Sequence, residues 1–455
     1  MAPGVPSADR FQPSAQPRLA GGAREPAERP LFALVMIVKD EEKNLGACLE
    51  SARALFDKVV IADTGSTDRT VQIAEEFGAE VVRFPWVDDF AAARNAAQEH
   101  AGAVMTMWMD ADDRLDEENR QKLGELFAMI KDLVKQGAPL PAVSMKCECR
   151  GAEAEAPTVV DHVRLFPNHP DLRWEFRVHE QVLGSLRRLG IRVQEADVVI
   201  QHAGYAEAAL RQRKRDRDLR ILQLQEEDQP GHPFTLFNMD SIASDLGRTE
   251  EALALFRRSL ARSKPEDSIV RKLYALIAHC HRRLGKSDEA LAACRQGRGW
   301  YPDDLELLFQ EGMARFELRD LDGAEASLLE TLATREKGHF ASVDAGGLRG
   351  YKTRQNLGII YREQGRQAEA EAQWRAALEE QPDFPAALLE LGALLLSQGR
   401  WEEAEAIIQR LEAGRQPAAG AVVLRARLLR GRTMQAPGSC LRRPSPGRRT
   451  RPAWV

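Results

Sequence analysis

The stretch Val104-Met105-Thr106-Met107-Trp108-Met109-Asp110-Ala111-Asp112-Asp113 decides how this chain is read. Six uncharged residues run straight into three carboxylates within four positions. An uninterrupted run of this kind reads as a strand buried on both faces, as in a parallel sheet. Open α/β sheets bind ligands outside such strand ends. Carboxylates so close repel one another by roughly 4 kcal/mol per pair at contact distance and an effective dielectric near 20. A divalent cation shared with a phosphorylated ligand relieves that repulsion. Taken alone, an Asp-x-Asp also fits a solvated turn, or Asp112 or Asp113 as the cap of a helix beginning near Asp116.

The flanking residues supply the context. Leu31 to Val38 and Lys58 to Ala62 predict two strands, Glu80 to Phe84 a third, and the run from Val104 a fourth. Between them, Glu41 to Arg53 carries Leu45, Cys48, Leu49 and Ala52 on one helical face. A second helix runs through Val71, Ile73, Ala74 and Phe77 to Gly78, and a third covers Phe90 to His100. Strands alternating with helices at this spacing predict a parallel sheet with right-handed crossovers. Arg120 to Lys135 reads as a helix. Ala142 to Cys149, Val159 to Phe166, Arg173 to Val178 and Arg192 to Ile200 then predict an antiparallel addition walling one side of the cleft. Cys147 and Cys149 share one face of the first of these strands, which suits buried thiols better than zinc ligands.

From about Ala206 the pattern is helical and repeats. Leu246-Gly247-Arg248-Thr249-Glu250-Glu251-Ala252-Leu253 recurs as Leu284-Gly285-Lys286-Ser287-Asp288-Glu289-Ala290-Leu291, with looser copies around Ala324, Ala370 and Ala404. The alanines are 38, 34, 46 and 34 residues apart. The modal step is that of tetratricopeptide repeats, where a small residue lets two antiparallel helices approach closely. Pro302-Asp303 and Pro382-Asp383 fall at repeat boundaries, and the long step carries an insertion near Gly338 to Gly350. Such an array binds peptide or protein by default, with a structural or dimerising role as the plainer alternative. His279 and His281 read as surface or packing residues.

The chain has 455 residues, room for about three domains by the usual length prior. Its six cysteines are scattered, which argues against a disulfide framework. No apolar run approaches a membrane span and the first thirty residues lack an apolar core, so a cytoplasmic protein is expected. Residues 1–30, rich in Pro, Ala, Gly and Arg, read as a flexible leader. After Glu412 there is no acidic residue, while Arg425, Arg427, Arg430, Arg432, Arg442, Arg443, Arg448, Arg449 and Arg451 follow. Residues 416–455 therefore read as a basic, disordered tail.

Three segments meet at one edge of the predicted sheet: Val38-Lys39-Asp40-Glu41-Glu42, Asp63-Thr64-Gly65-Ser66-Thr67-Asp68 and Asp110-Ala111-Asp112. Gly65 lets backbone approach a ligand closely, and Ser66 or Thr67 can cap the next helix. Neither a Gly-x-Gly-x-x-Gly fingerprint nor a Walker loop is present, which argues against a dinucleotide oxidoreductase or P-loop NTPase. These pieces join Lys43-Asn44-Leu45, Arg69-Thr70, Phe84-Pro85-Trp86, Asp89 to Asn95, Arg164-Leu165-Phe166 and Val178-His179-Glu180. In that order they resemble a family 2 glycosyltransferase of the GT-A fold, in particular the bacterial lipooligosaccharide β-1,4-glucosyltransferase-like branch often fused to tetratricopeptide repeats.

The resemblance implies an α/β GT-A (Rossmann-like) domain with an antiparallel β addition over residues 31–205, followed by an all-α tetratricopeptide-repeat solenoid over 206–415. It implies inverting transfer of a sugar from a nucleotide-diphosphate-sugar donor with Mg²⁺ or Mn²⁺ to a hydroxyl or thiol of a peptide, protein or glycan acceptor. The repeats would recruit acceptor or partner protein; nucleic acid is not expected. By similarity Asp63 faces base or ribose, Arg94 helps hold the nucleotide, and Asp110 and Asp112 bind ribose and metal, with Lys39, Glu41 and Ala111 beside them. Thr64 departs from the commoner Asp-Asp-Gly-Ser pattern and Asp40 stands where asparagine is usual, so the choice of nucleotide stays open.

The chemistry agrees with these residue types. Leaving-group departure builds charge on the diphosphate, which a metal at Asp112 stabilises. Inversion needs a carboxylate to take the acceptor's proton. Glu180 is the first choice, with Asp113, Asp161 and Glu175 as alternatives and a salt bridge to Arg177 as its plainer role. His179 is a candidate metal or phosphate ligand, or a packing histidine. His202, in Gln201-His202-Ala203-Gly204-Tyr205, matches a second short motif without an assigned role. A non-catalytic repeat adaptor with a degenerate nucleotide-binding domain is the main alternative. A nucleotidyltransferase is disfavoured by the acidic Asp40-Glu41-Glu42 where a basic loop is needed.

Overall fold

Strand β1 (Phe32–Val38) alternates between two buried faces, with Phe32, Leu34, Met36 and Val38 in one core and Ala33 and Val35 in another. A strand apolar on both faces belongs inside a covered sheet. The computed structural model describes residues 29–149, 158–203, 208–245, 247–265, 267–334, 345–413 and 419–435. These fall into two compact units, one drawn from 1–149 and 161–205, the other from 150–160 and 206–455.

In the first unit β2 (Lys58–Asp63), β3 (Glu80–Arg83) and β4 (Met105–Trp108) extend β1 into a parallel sheet. The connecting helices are α1 (Leu45–Ala52), α2 (Thr70–Glu76) and α3 (Phe90–Ala101). After β5 (Asp113–Arg114) and α4 (Glu117–Lys135) come β6 (Ala142–Cys149), β7 (Thr158–Pro167), α5 (Leu183–Arg188) and β8 (Val193–His202). The eight strands lie in the order β3-β2-β1-β4-β7-β6-β8-β5. Leu45, Cys48 and Leu49 of α1 and Leu123, Phe127 and Ile130 of α4 cover one face; Ala91, Ala97 and Ala101 of α3 cover the other. Each fully buried Leu, Met or Phe contributes about 1.5–3 kcal/mol.

Several expectations need correction. The added strands are mixed rather than antiparallel: β4–β7 and β5–β8 are antiparallel, but β6 and β8 run parallel. Arg173–Val178 is a loop with one isolated bridge, Glu175 to Gln181. Phe176 and His179 have φ of 72° and 57°, and side chains replace a partner strand: Arg173 N donates to Ser185 Oγ and Trp174 N to Asn95 Oδ1. The cap of α4 is Asp116, which accepts from Asn119 N, rather than Asp112 or Asp113. Near α2, Asp68 accepts from Thr70 N, while Ser66 and Thr67 bond to Asp40.

The second unit is helical: α6 (Ala208–Asp228), α7 (Pro233–Asp245), α8 (Thr249–Arg262), α9 (Val270–Arg283), α10 (Ser287–Trp300), α11 (Leu305–Glu317), α12 (Leu321–Ala333), α13 (Ala345–Leu348), α14 (Tyr351–Glu363), α15 (Gln367–Glu380), α16 (Pro385–Ser397), α17 (Trp401–Ala413) and α18 (Ala419–Gln435). Ala252, Ala290, Ala324, Ala370 and Ala404 are all 0% exposed, as the close helix approach requires. Five residues before each, the chain turns through positive φ at Gly247, Gly285, Gly365 and Gly399; Arg319 takes that conformation in the third copy.

Of the expected tail, residues 419–435 form α18, because Ala421, Leu424 and Leu428 lie on one helical face and bury themselves in the repeat core. Arg425 is paired with Glu405 and Glu412. The leader up to residue 28, the tail beyond 435, and residues 335–344 of the insertion lie outside the described residues. Among the described residues no helix is long and apolar enough to cross a membrane.

Candidate functional site

Parallel pairing of β1 with β2 and β4 brings the three segments to one edge. The first two are stitched together. Asp40, at φ 54°, accepts from Thr67 N (2.7 Å) and Thr67 Oγ1 (3.1 Å), and its own N donates to Ser66 Oγ (3.0 Å). Thr64 Oγ1 donates to Val38 O (3.0 Å), so this departure from the commoner motif holds one loop to the other strand. Asp63 is buried and accepts from Ser66 N (3.0 Å). Gly65 has φ 104° with open space where a Cβ would stand. Glu41 Oε2 accepts from Asn44 Nδ2 (2.9 Å), and Lys39 is exposed at the rim.

The acidic turn is built around Asp113, which is 0% exposed. Its Oδ2 accepts from Arg164 Nη1 (2.7 Å) and Asp110 N (2.8 Å), and its Oδ1 lies 2.9 Å from His202 Nδ1. The register of β5 on β8 sets Asp113 opposite His202. Arg164 is 1% exposed and stacks 3.7 Å from the centre of the Trp108 ring, so the third carboxylate answers a buried guanidinium. Asp113 is therefore a tether rather than an acceptor-side base. Asp113, Cys147 and His202 place an oxygen, a sulfur and a nitrogen within 4.8 Å of one another, a set compact enough for an ion. Arg164 already bonds both Asp113 and the Cys147 sulfur there, and a second cation would meet its repulsion.

Asp110 and Asp112 face different surroundings. Burial would raise the Asp110 carboxyl, but Arg94 and then Arg164 hold it down at about 2. Asp112 is pushed up, first by burial and also by Asp110 and Asp113, against the opposing pull of His202, whose Nδ1 is 3.4 Å away. His202 is raised to about 9, chiefly by its bond to Asp113, with burial opposing. Among the described residues Asp112 thus pairs with no arginine or lysine, and its one ionic neighbour is His202. Ala111 between them is buried, its carbonyl accepting from Arg114 Nη1.

Glu180 reaches this turn through Arg94, not Arg177. Arg94 Nε donates to Glu180 Oε1 (2.6 Å) and Nη2 to Asp110 Oδ1 (3.0 Å), with the guanidinium 4.2 Å from the Trp108 ring centre and 5.2 Å from that of Trp174. Burial works against the Arg94 charge, but Glu180 and Asp110 outweigh it and its pKa is raised. Among the described residues Glu180 Oε2 has no hydrogen-bond partner, and the side chain is 14% exposed. Glu175 is taken up by Arg188, Asp161 lies within β7, and His179 is exposed with left-handed backbone.

Sequence reasoning quoted Arg164 and Trp108 among the motif residues without giving either a role, and passed over Trp174. An arginine between Val163 and Leu165 was the available signal, because a charge inside a buried strand requires a partner. His162 beside Trp108 is pushed down to about 3 by burial and then by Arg164.

Comparison with known proteins adds two family matches. Residues 33–136 match the model for glycosyl transferase family 2, and residues 241–297 and 356–428 match a tetratricopeptide repeat model. A TPR repeat-containing protein of Synechococcus elongatus is 30% identical over 268 residues, 57% of this chain and 64% of that protein. The SPbeta prophage-derived glycosyltransferase SunS of Bacillus subtilis is 24% identical over 260 residues, 56% of this chain and 59% of its own length. An uncharacterised glycosyltransferase of Rickettsia typhi is 30% identical over 93 residues, 20% of this chain and 32% of the relative. The chain thus spans less than two thirds of the length of these relatives.

Proposed function

The chain carries a family 2 glycosyltransferase domain followed by tetratricopeptide repeats, and we propose that it moves a sugar, with inversion, from a nucleotide-diphosphate-sugar donor to a hydroxyl or thiol of a peptide, protein or glycan. The observation that carries this reading is the Arg94 bridge: one guanidinium joins a carboxylate with a free oxygen, Glu180, to the acidic turn at Asp110. In this reading Glu180 Oε2 takes the acceptor's proton. Arg94 acts by positioning Glu180 and Asp110, where the sequence suggested a direct nucleotide contact. Asp63 and Asp110 receive base and ribose, and Lys39, Glu41 and Ala111 border the donor.

A divalent ion fits the donor set, because Asp112 is crowded by Asp110 and Asp113 and, among the described residues, pairs with no arginine or lysine, and oxygen ligands suit Mg²⁺ or Mn²⁺. Asp112 would hold it. His179 stays the imidazole nominated for the ion, while His202, bonded to Asp113 and bordering Asp112 through the same Nδ1, orients the turn. The ion would supply charge to the departing diphosphate. The repeats would recruit the acceptor or a partner protein.

A thermal-shift screen of nucleotide sugars with Mn²⁺ tests the donor half, since a ligand at a hundred times its dissociation constant stabilises by about 2.7 kcal/mol. The expected hit disappears in Asp112→Ala. A panel of uridine, guanosine, thymidine and cytidine diphosphate sugars that leaves the melting temperature unmoved with Mn²⁺ would refute the reading.

A further inference from the structure

Helix α18 turns an apolar strip away from the repeat core. Ala421, Leu424 and Leu428 of α18 point into the repeat core, while Val422, Val423 and Leu429 on the other side are 69%, 52% and 60% exposed. At about 100° per residue, Val422, Ala426 and Leu429 fall within about 60° of one another and form a single outward ridge. Arginines flank it on both sides. Arg427 and Arg430 are exposed along one edge; Arg425 and Arg432 lie along the other, bonded to Glu405 and Glu412 of α17. Exposed apolar ridges mark interaction surfaces, and this one runs between Arg427 and Arg430 on one side and the ion-paired Arg425 and Arg432 on the other. No acidic residue follows Glu412, whereas nine arginines lie between Arg425 and Arg451.

We propose that this face of α18 docks on an anionic lipid surface. A second copy of the chain is a poor occupant, because the exposed Arg427 and Arg430 edges of two such faces would repel. A convex ridge edged by the exposed Arg427 and Arg430 suits a flat, negatively charged surface: the valines and leucine enter the boundary between headgroups and acyl chains, and the arginine edge faces the lipid phosphates. The arginines beyond the helix add attraction in the same sense. The apolar and basic parts make separable contributions, which gives the proposal two independent handles.

Co-sedimentation of the full chain with vesicles tests it. Binding to phosphatidylcholine vesicles containing about 30 mol% phosphatidylglycerol should exceed binding to phosphatidylcholine alone by about tenfold or more, and should fall several-fold between about 50 and about 300 mM salt. V422S/L429S, whose changes are at exposed positions and should leave the melting temperature unmoved, is expected to bind about tenfold more weakly. R427Q/R430Q should lose a similar factor at low salt only. Equal binding to both vesicles, binding to neither, or V422S/L429S binding like the parent overturns the proposal. The last outcome would assign attraction to the arginine-rich segment alone, and an acidic protein captured at α18 without vesicle binding would make the face a protein interface.

Discussion

Replacing Asp113 by asparagine removes one charge from a pair with almost no water-exposed surface. Asp113 and Arg164 have side chains 0% and 1% exposed and meet at 2.7 Å. Asparagine keeps the shape and one acceptor oxygen, but leaves Arg164 buried against a neutral partner. Breaking a buried pair from one side costs about 3–5 kcal/mol, and the retained oxygen places this change near about 3 kcal/mol. Domains are typically stable by only about 5–15 kcal/mol, so the loss is a large fraction. Because the chain forms two compact units, a single unfolding curve is ill suited. Hydrogen exchange of the β4 amides Met105–Trp108 reports the first unit directly, and about 3 kcal/mol appears there as roughly a hundredfold faster exchange. Asp113 also holds the backbone N–H of Asp110, so Mn²⁺ affinity measured by calorimetry should fall about 10–100-fold. Adding Arg164→Met removes the stranded cation and should recover part of the lost protection. Parental exchange in β4 together with parental Mn²⁺ affinity would refute the tether.

Glu180→Gln should lower kcat by about 10²–10⁴ while leaving the donor KM near the parent's, measured with saturating acceptor; an unchanged kcat would pass the role of base to another group. Arg94→Lys cannot span both carboxylates in one planar fork and should lower kcat without restoring what glutamine at 180 removes. His279 is lowered to about 4, first by burial and then by Arg282 and Arg283, against an ordinary value of 6.5. Its contribution is present above pH 6.5 and lost as pH falls towards 4, because the unfolded chain takes up the proton first. The parent's melting temperature should therefore drop relative to His279→Gln between about pH 7 and pH 4.5, and parallel curves would contradict this. Gly358→Ala places a methyl group 2.3 Å from Trp374 Nε1, in a tryptophan that is 0% exposed. Overpacking should outweigh the gain in helix propensity and destabilise the repeats by about 1–3 kcal/mol, read from denaturant unfolding.

The parallel sheet and the repeats were legible because both are written in neighbouring residues. The alternation in Phe32–Val38, the apolar run ending at Asp110 and the alanines from Ala252 to Ala404 declare period and burial without reference to distant chain. Where local pattern misled, a tertiary partner had intervened. Arg173–Val178 alternates like a strand, yet Ser185 and Asn95 satisfy its backbone. Residues 419–435 are rich in arginine, yet three small or aliphatic side chains at helical spacing anchor them in the core.

The order of motifs along the chain sufficed to indicate a family 2 glycosyltransferase domain with tetratricopeptide repeats and to nominate Asp63, Asp110, Asp112 and Glu180. Only the folded chain decided which charge answers which. Arg94 and Glu180 are 86 residues apart, Asp113 and Arg164 51, and Asp113 and His202 89. The two Asp113 pairings follow from β4 lying against β7 and β5 against β8. Hydrophobic periodicity is a property of adjacent residues and survives any topology. A charge inside the protein takes its partner, and with it its protonation, from whichever strand end the sheet brings within about 3 Å.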